Sequence, residues 1–340
     1  MWGNMFNGQG RSRILILFLV MILGMGGLAG CGKDREAVDI RVGSLKGPTS
    51  MGILFLMDRA EKGETKDTYE FRMAVGADEL MPLMVKGELD IALIPANAAA
   101  VLYQRTEGGI VVIDVNTLGV LSIVTGSSEV KGIGDLKGRT IYLTGKGTTP
   151  EASLRYVLEA NGFTEEDYRL EFKSEAAEVA AVLAEEPEGI GLLPQPFVTA
   201  ALMQNPKLKA VLDMNEEWMR VENDLKGGSS RGMVTGVTVV RREFLEEHPE
   251  AVEEFLKEHA LSADGMNGDV STGAALAVAA GIVAKESVAE GAIPQCHITC
   301  ITGDEMKADL SAYLEVLADF DGELVGGRVP EEDFYLIGTH

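Results

Sequence analysis

The chain has 340 residues, 46% of them apolar, which is enough to bury a large core and to form two domains of ordinary size. Its 53 acidic residues outnumber its 30 basic residues, so the net charge is −23. This balance argues against a nucleic-acid partner, because nucleic-acid binding needs basic patches. It also argues against electrostatic adhesion to anionic lipids.

The N-terminus has the layout of a secretory signal peptide. Arg11 and Arg13 precede an apolar run over residues 14–23, and small residues then lead to Leu28-Ala29-Gly30 and Cys31. A membrane-spanning helix is the alternative, but it needs about 20 apolar residues, and glycines cut this run short. A cysteine directly after Leu-Ala-Gly resembles the bacterial lipobox, in which the thiol takes a diacylglyceryl group and the cysteine becomes the new N-terminus.

We therefore expect residues 1–30 to be a lipoprotein signal peptide and Cys31 to be the lipidated residue, with fatty acids such as palmitate. Residues 31–37 then form a short polar tether. The lipid holds the chain outside the cytoplasm, at the cell membrane of a bacterium, while the polypeptide stays in water.

Beyond the tether, strand patterns alternate with helix patterns. The first series predicts strands over 39–44, 69–75, 90–94 and 110–115, and helices over 50–62, 78–86 and 96–104. The second series predicts strands over 120–125, 140–143, 169–172, 189–193 and 208–212, and helices over 150–160, 176–184 and 197–204. Such alternation predicts an α/β fold of two units, each with parallel strands and crossover helices.

A lone apolar strand over 236–241 precedes a largely helical end, with helices predicted over 249–261, 272–286 and 304–318. We expect 120–125 and 236–241 to be two crossings between lobes. Lobe one then consists of 38–119 and 242–340. Lobe two consists of 120–241, including both crossings.

Four turns that lead from a strand into a helix are the candidate binding loops, namely 47–52, 95–97, 145–150 and 194–196. Ligands of open α/β sheets bind outside the carboxyl ends of the strands. Ser50 and Thr149 are suitable N-caps, and a helix start offers unpaired N–H groups that can hold an anion. Capping alone explains such residues at any single turn. If the lobes face each other, all four turns line one cleft.

Catalytic signatures are absent from the sequence. It contains no G-x-x-x-x-G-K-[ST] loop, no H-E-x-x-H and no G-x-S-x-G. The four histidines do not combine into a nucleophile with an attendant base; they are His248, His259, His297 and His340. We therefore expect a protein that is not an enzyme and that holds no metal and no cofactor.

Cys296 and Cys300 form a C-x-x-x-C pair with His297 between them. Three interpretations stay open. The pair can be two half-buried apolar residues, a disulfide, which is permitted outside the cytoplasm, or part of a metal site.

Six short stretches carry a family resemblance. They are 45–52 (LKGPTSMG), 87–97 (GELDIALIPAN), 135–139 (DLKGR), 147–150 (GTTP), 193–196 (LPQP) and 326–335 (GGRVPEEDFY). In this order, and with a lipobox before them, they resemble the substrate-binding lipoproteins of ABC importers of the nitrate/sulfonate/taurine type. The likeness spans nearly the whole mature chain.

The resemblance implies a type II periplasmic-binding-protein fold, in which two α/β lobes joined by a two-strand hinge close on a ligand. It places the ligand contacts at Thr49, Ser50, Met51, Asn97, Thr148, Thr149 and Gln195. The implied partners are a small-molecule solute and an ABC permease with its ATPase, and the protein itself is expected to be a monomer.

The turns show no aromatic cluster, which favours a small anionic or polar solute such as nitrate, a sulfonate or taurine. The open alternatives are a thiamine pyrimidine precursor or another aromatic solute, a solute-sensing adaptor lipoprotein, and an enzyme with its site in the cleft.

Overall fold

The computed structural model describes residues 35–338. A compact unit begins at Val38. The predicted signal peptide, the predicted lipidation site Cys31 and most of the tether lie outside the described residues. Within 35–338, none of the helices combines the length and the apolar character that a membrane crossing requires.

Two β-sheets surrounded by helices make up the described part of the chain. The strands, numbered β1 to β11 in chain order, are Asp39–Leu45, Thr68–Ala74, Ile91–Pro95, Ile110–Thr117, Leu121–Thr125, Thr140–Leu143, Arg169–Phe172, Ile190–Pro194, Lys209–Asp213, Gly236–Arg241 and Ile298–Ile301. The α-helices, numbered α1 to α13, are Pro48–Met51, Leu54–Glu61, Ala77–Val85, Ala96–Arg105, Thr149–Ala160, Ala176–Glu185, Phe197–Gln204, Met214–Arg220, Arg242–Glu247, Pro249–Gly268, Val270–Ala279, Glu286–Ala292 and Gly303–Phe320. A π turn at Val221–Leu225 follows α8.

The first sheet has the strand order β11-β4-β10-β3-β1-β2, and the second has the order β7-β6-β8-β5-β9. β1 is parallel to β2 and β3, and β6 is parallel to β7 and β8, as the alternating pattern predicts. However, β10 and β5 run antiparallel to both of their neighbours. The reason is that the chain enters each sheet through one of these strands from the other sheet, without the long crossover that a parallel connection requires. The sheets are therefore mixed, and the prediction of wholly parallel strands is wrong.

We call the first sheet with its covering helices lobe one, and the second sheet with its helices lobe two. The sequence predicts 236–241 as part of lobe two, whereas the structure pairs β10 with β3 and β4 inside lobe one. Its Val-Thr-Val-Val run is fully buried, as expected for a central strand. The chain crosses between the lobes over 118–120 (the first crossing) and 226–235 (the second crossing).

The C-terminal helices lie mainly on lobe one. α10 packs on α2 and β11, and α13 packs on α4 and β4 while also reaching α5 of lobe two. Two predicted helices differ in the structure: 50–62 is divided into α1 and α2, and 272–286 ends early, at Ala279 of α11. β11 and α8, which are 4 and 7 residues long, are absent from the predicted elements.

Helices cover lobe one on both faces of its sheet. Val240 of β10 belongs to a buried cluster with Phe255 of α10. Val237 and Val239 belong to a second buried cluster that includes Leu310 of α13. Burial of apolar surface on both faces stabilises a central strand by roughly 25 cal/mol per Å². β10 is therefore fixed in lobe one, and the second crossing must end where β10 begins.

Asp90, at the start of β3, joins three neighbouring strands. Its Oδ1 accepts hydrogen bonds from Arg41 Nη2 of β1 at 2.6 Å and from Arg241 Nη2 of β10 at 3.0 Å, and its Oδ2 accepts one from Arg41 Nε at 2.8 Å. The Asp90 side chain is only 2% exposed. Burial alone would raise the pKa of Asp90, but the hydrogen bonds from Arg41 and Arg241 outweigh burial and lower it.

We expect Asp90→Asn to lower the free energy of unfolding at pH 7 by about 3 kcal/mol, because it leaves two arginines without their carboxylate. The matched control is Asp58→Asn, which removes an exposed pair with Lys62 and should change stability by less than about 0.5 kcal/mol. Urea unfolding measures both variants.

The lowered pKa of Asp90 also fixes the pH dependence of this difference. The stabilisation is complete above the ordinary value of 3.8 and is lost as the pH falls through the lower pKa of the folded state. The wild type should therefore lose its advantage over Asp90→Asn below pH 3.8. A difference that persisted there unchanged would contradict this account of Asp90.

Candidate functional site

One side chain of lobe two holds both crossings. Asn215 of α8 is buried, and its Oδ1 accepts hydrogen bonds from Gly119 N of the first crossing at 3.0 Å and from Met233 N of the second crossing at 2.8 Å. Gly232 has a φ of 139°, and a Cβ there would overlap the Asn215 amide. Glycine at 232 therefore lets the second crossing approach Asn215 closely.

His297 holds the first crossing from the side of lobe one. Its backbone carbonyl accepts a hydrogen bond from Leu118 N at 3.1 Å. Its Nδ1 donates to Gly119 O at 2.5 Å, while Nε2 lies 3.8 Å from an Asp213 carboxylate oxygen of lobe two. The first crossing is thus held from both lobes.

A cavity of about 220 Å³ lies next to the crossings and between the lobes. Its apolar lining comes from strand ends, helix starts and both crossings: Pro95, Ala96, Val120, Leu121, Pro150, Pro194 and Met233. Its polar lining residues are Asn97, Thr149, Ser153, Thr235 and Tyr313. Both lobes therefore contribute side chains to one cavity.

The polar side chains that line the cavity differ in whether they already make hydrogen bonds within the protein. The side chains of Asn97, Thr149 and Thr235 make no hydrogen bond to any residue between 35 and 338, so they remain available to a ligand. Ser153 Oγ and Tyr313 Oη lie 3.5 Å apart, the first in lobe two and the second on α13 of lobe one. Burial raises the pKa of Tyr313, so the phenol is neutral at physiological pH.

Aromatic rings close the lobes against each other beside the cavity. The rings of Trp218 in α8 and Tyr313 in α13 have centroids 5.4 Å apart in an edge-on arrangement. Tyr156 of α5 lies 4.4 Å from Trp218 on its other side. Trp218 is only 1% exposed, so this contact between the lobes is dry.

The start of α5 carries its own buried negative charge. Glu151 is 5% exposed, and its Oε2 accepts a hydrogen bond from Gly147 N at 2.8 Å. Its Oε1 accepts one from Arg155 Nε at 2.7 Å. A carboxylate in the first turn interacts favourably with the positive end of the helix. That end is therefore already neutralised from within the chain.

The cavity includes two of the seven ligand contacts that the sequence predicts. Asn97 follows β3 and Thr149 opens α5, so the two stand on opposite lobes. Thr148 is exposed, and its hydroxyl donates to Gly145 O at 2.7 Å, which makes it part of the turn before α5. Of these two adjacent threonines, only Thr149 lines the cavity.

The other four predicted contacts do not line this cavity. Ser50 is fully buried and donates its hydroxyl to Leu45 O, and Met51 packs in the core beside Leu54. Gln195 is buried, and its Oε1 accepts from the Thr199 hydroxyl at 2.9 Å. These three satisfy the fold internally. Thr49 is also buried, and its methyl group lies against Gly236 of β10.

Some cavity residues carry no sequence signal, and one carries a weak signal. Ser153 lies four residues after Thr149 on α5, so helical spacing places both on the same face. Tyr313 comes from α13, far away in sequence, and only the packing of that helix against α5 brings it to the cavity. Met233 and Thr235 stand in an irregular loop, where no periodicity points to them.

A buried polar network crosses lobe one outside the cavity. Thr238 Oγ1 donates to Asp114 Oδ1 at 2.8 Å, and His259 Nδ1 lies 3.0 Å from Asp114 Oδ2. Asp114, His259 and Cys300 each place one potential metal-ligand atom within 4.8 Å of the others. Because Asp114 and His259 already bind each other, the geometry serves first to join β4, β10 and α10.

Cys296 and Cys300 are free thiols. Cys296 packs in an apolar cluster, and burial raises its pKa to about 12. Burial also raises the pKa of Cys300, and the nearby Asp114 adds to this effect. Both thiols stay protonated at neutral pH and lie in or against an apolar cluster, which fits the interpretation as buried apolar residues.

Comparison with solved structures identifies the fold. An ABC transporter from Parabacteroides distasonis is 22% identical with a TM-score of 0.73, over 88% of this chain and 99% of that chain. The periplasmic aliphatic sulphonate binding protein SsuA from Escherichia coli is 16% identical with a TM-score of 0.68, over 89% of this chain and 92% of that chain. The chain has a periplasmic-binding-protein fold. The predicted fold class is thereby confirmed.

A third similar structure is the ligand binding component of an ABC-type import system from Staphylococcus aureus, solved with zinc bound. It is 15% identical with a TM-score of 0.61, over 88% of this chain and 96% of that chain. No protein-family model matches the sequence, and a search of curated proteins found no match. The likeness to these solved structures therefore rests on the fold and not on sequence.

We expect Asn215→Ala to lower the free energy of unfolding by about 2–4 kcal/mol, since it leaves two buried backbone N–H groups without an acceptor. The control is Asn205→Ala, which removes an exposed hydrogen bond to Lys207 N and should cost well under 1 kcal/mol. Thermal unfolding compares the two, and equal losses would rule out the bridging role of Asn215.

Proposed function

We propose that the protein is the extracytoplasmic solute-binding component of an ABC importer, closing two lobes on a small solute and delivering it to a membrane permease. One observation carries the proposal: a cavity of about 220 Å³ lies between two lobes and is lined by strand ends, helix starts and the crossings. The periplasmic-binding-protein fold supports it, since the structural neighbours include proteins of ABC importers.

The mechanism follows from which lobe supplies each contact. Asn97 belongs to lobe one and Thr149 to lobe two, so a solute that bonds to both interacts fully only with the closed form. Such a solute shifts the open–closed equilibrium by its differential affinity for the two forms. A dissociation constant of 1 μM corresponds to about −8 kcal/mol, which a few hydrogen bonds and a dry apolar wall can supply.

The sequence supplies the location and the partners of this proposal. Lipidation of Cys31 would keep the protein at the outer face of the membrane, within reach of a permease whose ATPase drives transport. We propose a monomer, because one chain contains both walls of the cavity. Of the anionic or polar solutes that the sequence predicts, the uncharged lining favours the polar ones.

A solute-sensing adaptor would use the same closure and differs only in its membrane partner. An enzyme is the weaker alternative. The cavity lining contains hydroxyls, an amide and apolar groups, and Tyr313 is kept neutral by burial. The described lining residues offer no general base, which hydrolytic or transfer chemistry in this space would need.

Solute binding is tested with a matched pair of variants, Thr149→Val and Thr148→Val, in the full chain. A water-soluble extract of the producing cells and their medium should raise the unfolding temperature of the wild type, because a ligand at 100 times its Kd adds about 2.7 kcal/mol. Loss of one hydrogen bond weakens binding about tenfold. Thr149→Val should therefore show about half of that stabilisation.

Thr148→Val should respond like the wild type, since its hydroxyl is turned to Gly145 and not to the cavity. If both variants respond alike, Thr149 is not a ligand contact. If the extract stabilises none of the three proteins, the proposed function fails.

The lipid anchor is tested by Cys31→Ala. In a bacterial host, the wild type should be found in the membrane fraction and incorporate labelled palmitate. The variant should lose the label and leave the membrane fraction upon lysis. Equal labelling of the two proteins would remove the anchor from the proposal.

A further inference from the structure

The lining of the cavity between the lobes limits the charge of what it can hold. Among the described residues that line it, none carries a charged side chain, and seven of the twelve are apolar. An anion transferred here from water would lose its hydration without meeting a lysine or an arginine. Burial of an unpaired charge is strongly unfavourable, whereas an uncharged group needs only its hydrogen bonds.

The N–H groups at a helix start can bind an anion in place of basic side chains. At the helix start of lobe two that lines the cavity, that of α5, the chain already supplies a negative group of its own. Two of the first residues of α5 line the cavity, Thr149 and Pro150, and proline has no N–H to donate. The next residue, Glu151, places a buried carboxylate at the same helix end and takes the N–H of Gly147. An anion in the cavity would therefore meet a helix end that a carboxylate of the chain already neutralises.

The helix start in lobe one is partly occupied as well. The first N–H of α4, that of Ala96, donates to Thr235 O at 3.1 Å. The side chain that α4 offers at the cavity is the amide of Asn97, which donates and accepts equally well and carries no charge. Across the cavity, the Thr149 and Thr235 hydroxyls also donate or accept as the ligand requires.

The net charge of the whole protein also disfavours an anion. The chain has a net charge of −23, so an approaching anion is repelled before it reaches the cleft. The cavity of about 220 Å³ lies below the roughly 300–1,000 Å³ of pockets for drug-sized ligands. Its occupant must therefore be compact.

We propose that the solute is an uncharged, compact molecule with an apolar body and at least one hydrogen-bonding group that bridges Asn97 and Thr149. This deepens the proposed function and rests on it. It also separates this protein from the sulphonate-binding neighbour whose fold it shares, since a sulphonate is an anion.

The test divides the water-soluble extract into anionic, cationic and uncharged fractions by ion exchange. Each fraction is added to the full chain, and the unfolding temperature is measured. The uncharged fraction should reproduce the whole shift given by the undivided extract. A shift produced by the anionic or the cationic fraction instead would overturn the proposal, while leaving solute binding itself intact.

Salt supplies a second readout on the active fraction. Binding of an uncharged solute should change less than twofold between 20 mM and 500 mM salt, because no charge pair is screened. A several-fold weakening over this range would contradict an uncharged ligand. If the undivided extract itself gives no shift, the proposed function fails, and the present inference fails with it.

Discussion

The arrangement of this molecule depends on one amide oxygen that holds two backbone segments. The chain passes between the lobes twice, and Asn215 Oδ1 accepts an N–H group from each passage. Because the two crossings share one acceptor, their spacing is fixed where the lobes meet. The cavity lies directly beside them, with Val120 and Met233 in its wall. The shape of the cavity therefore depends on the same hydrogen bonds that join the lobes.

Most of the fold could be predicted from the sequence, because short-range patterns determine it. Apolar runs such as 91–94 are predicted as strands and are strands in the structure. The turns before α4 and α5 lie where glycine, proline and threonine indicate them. The sequence does not predict the direction in which a strand runs or the sheet to which it belongs. The apolar run of β10 identifies a buried strand, but its sequence does not state which sheet contains it or that it runs against its neighbours. Those properties come from pairing over long separations.

The candidate site was predictable to a smaller extent, for a related reason. A polar residue after a strand can face a ligand or satisfy the fold, and the two uses look the same in a sequence. Asn97 and Thr149 face the cavity, whereas Ser50 and Gln195 bond to groups of their own turns and helices. Tyr313 could not be found at all, because only the packing of a C-terminal helix across both lobes brings it there.

The ring contact between Trp218 and Tyr313 has an experimental consequence. The sequence contains only two tryptophans, and Trp2 falls within the proposed signal peptide. The mature protein would thus carry a single indole, buried where one lobe meets a helix of the other. Separation of the lobes would admit water to that indole and shift its fluorescence emission to longer wavelength. The intrinsic fluorescence of the protein would therefore report the opening of the lobes.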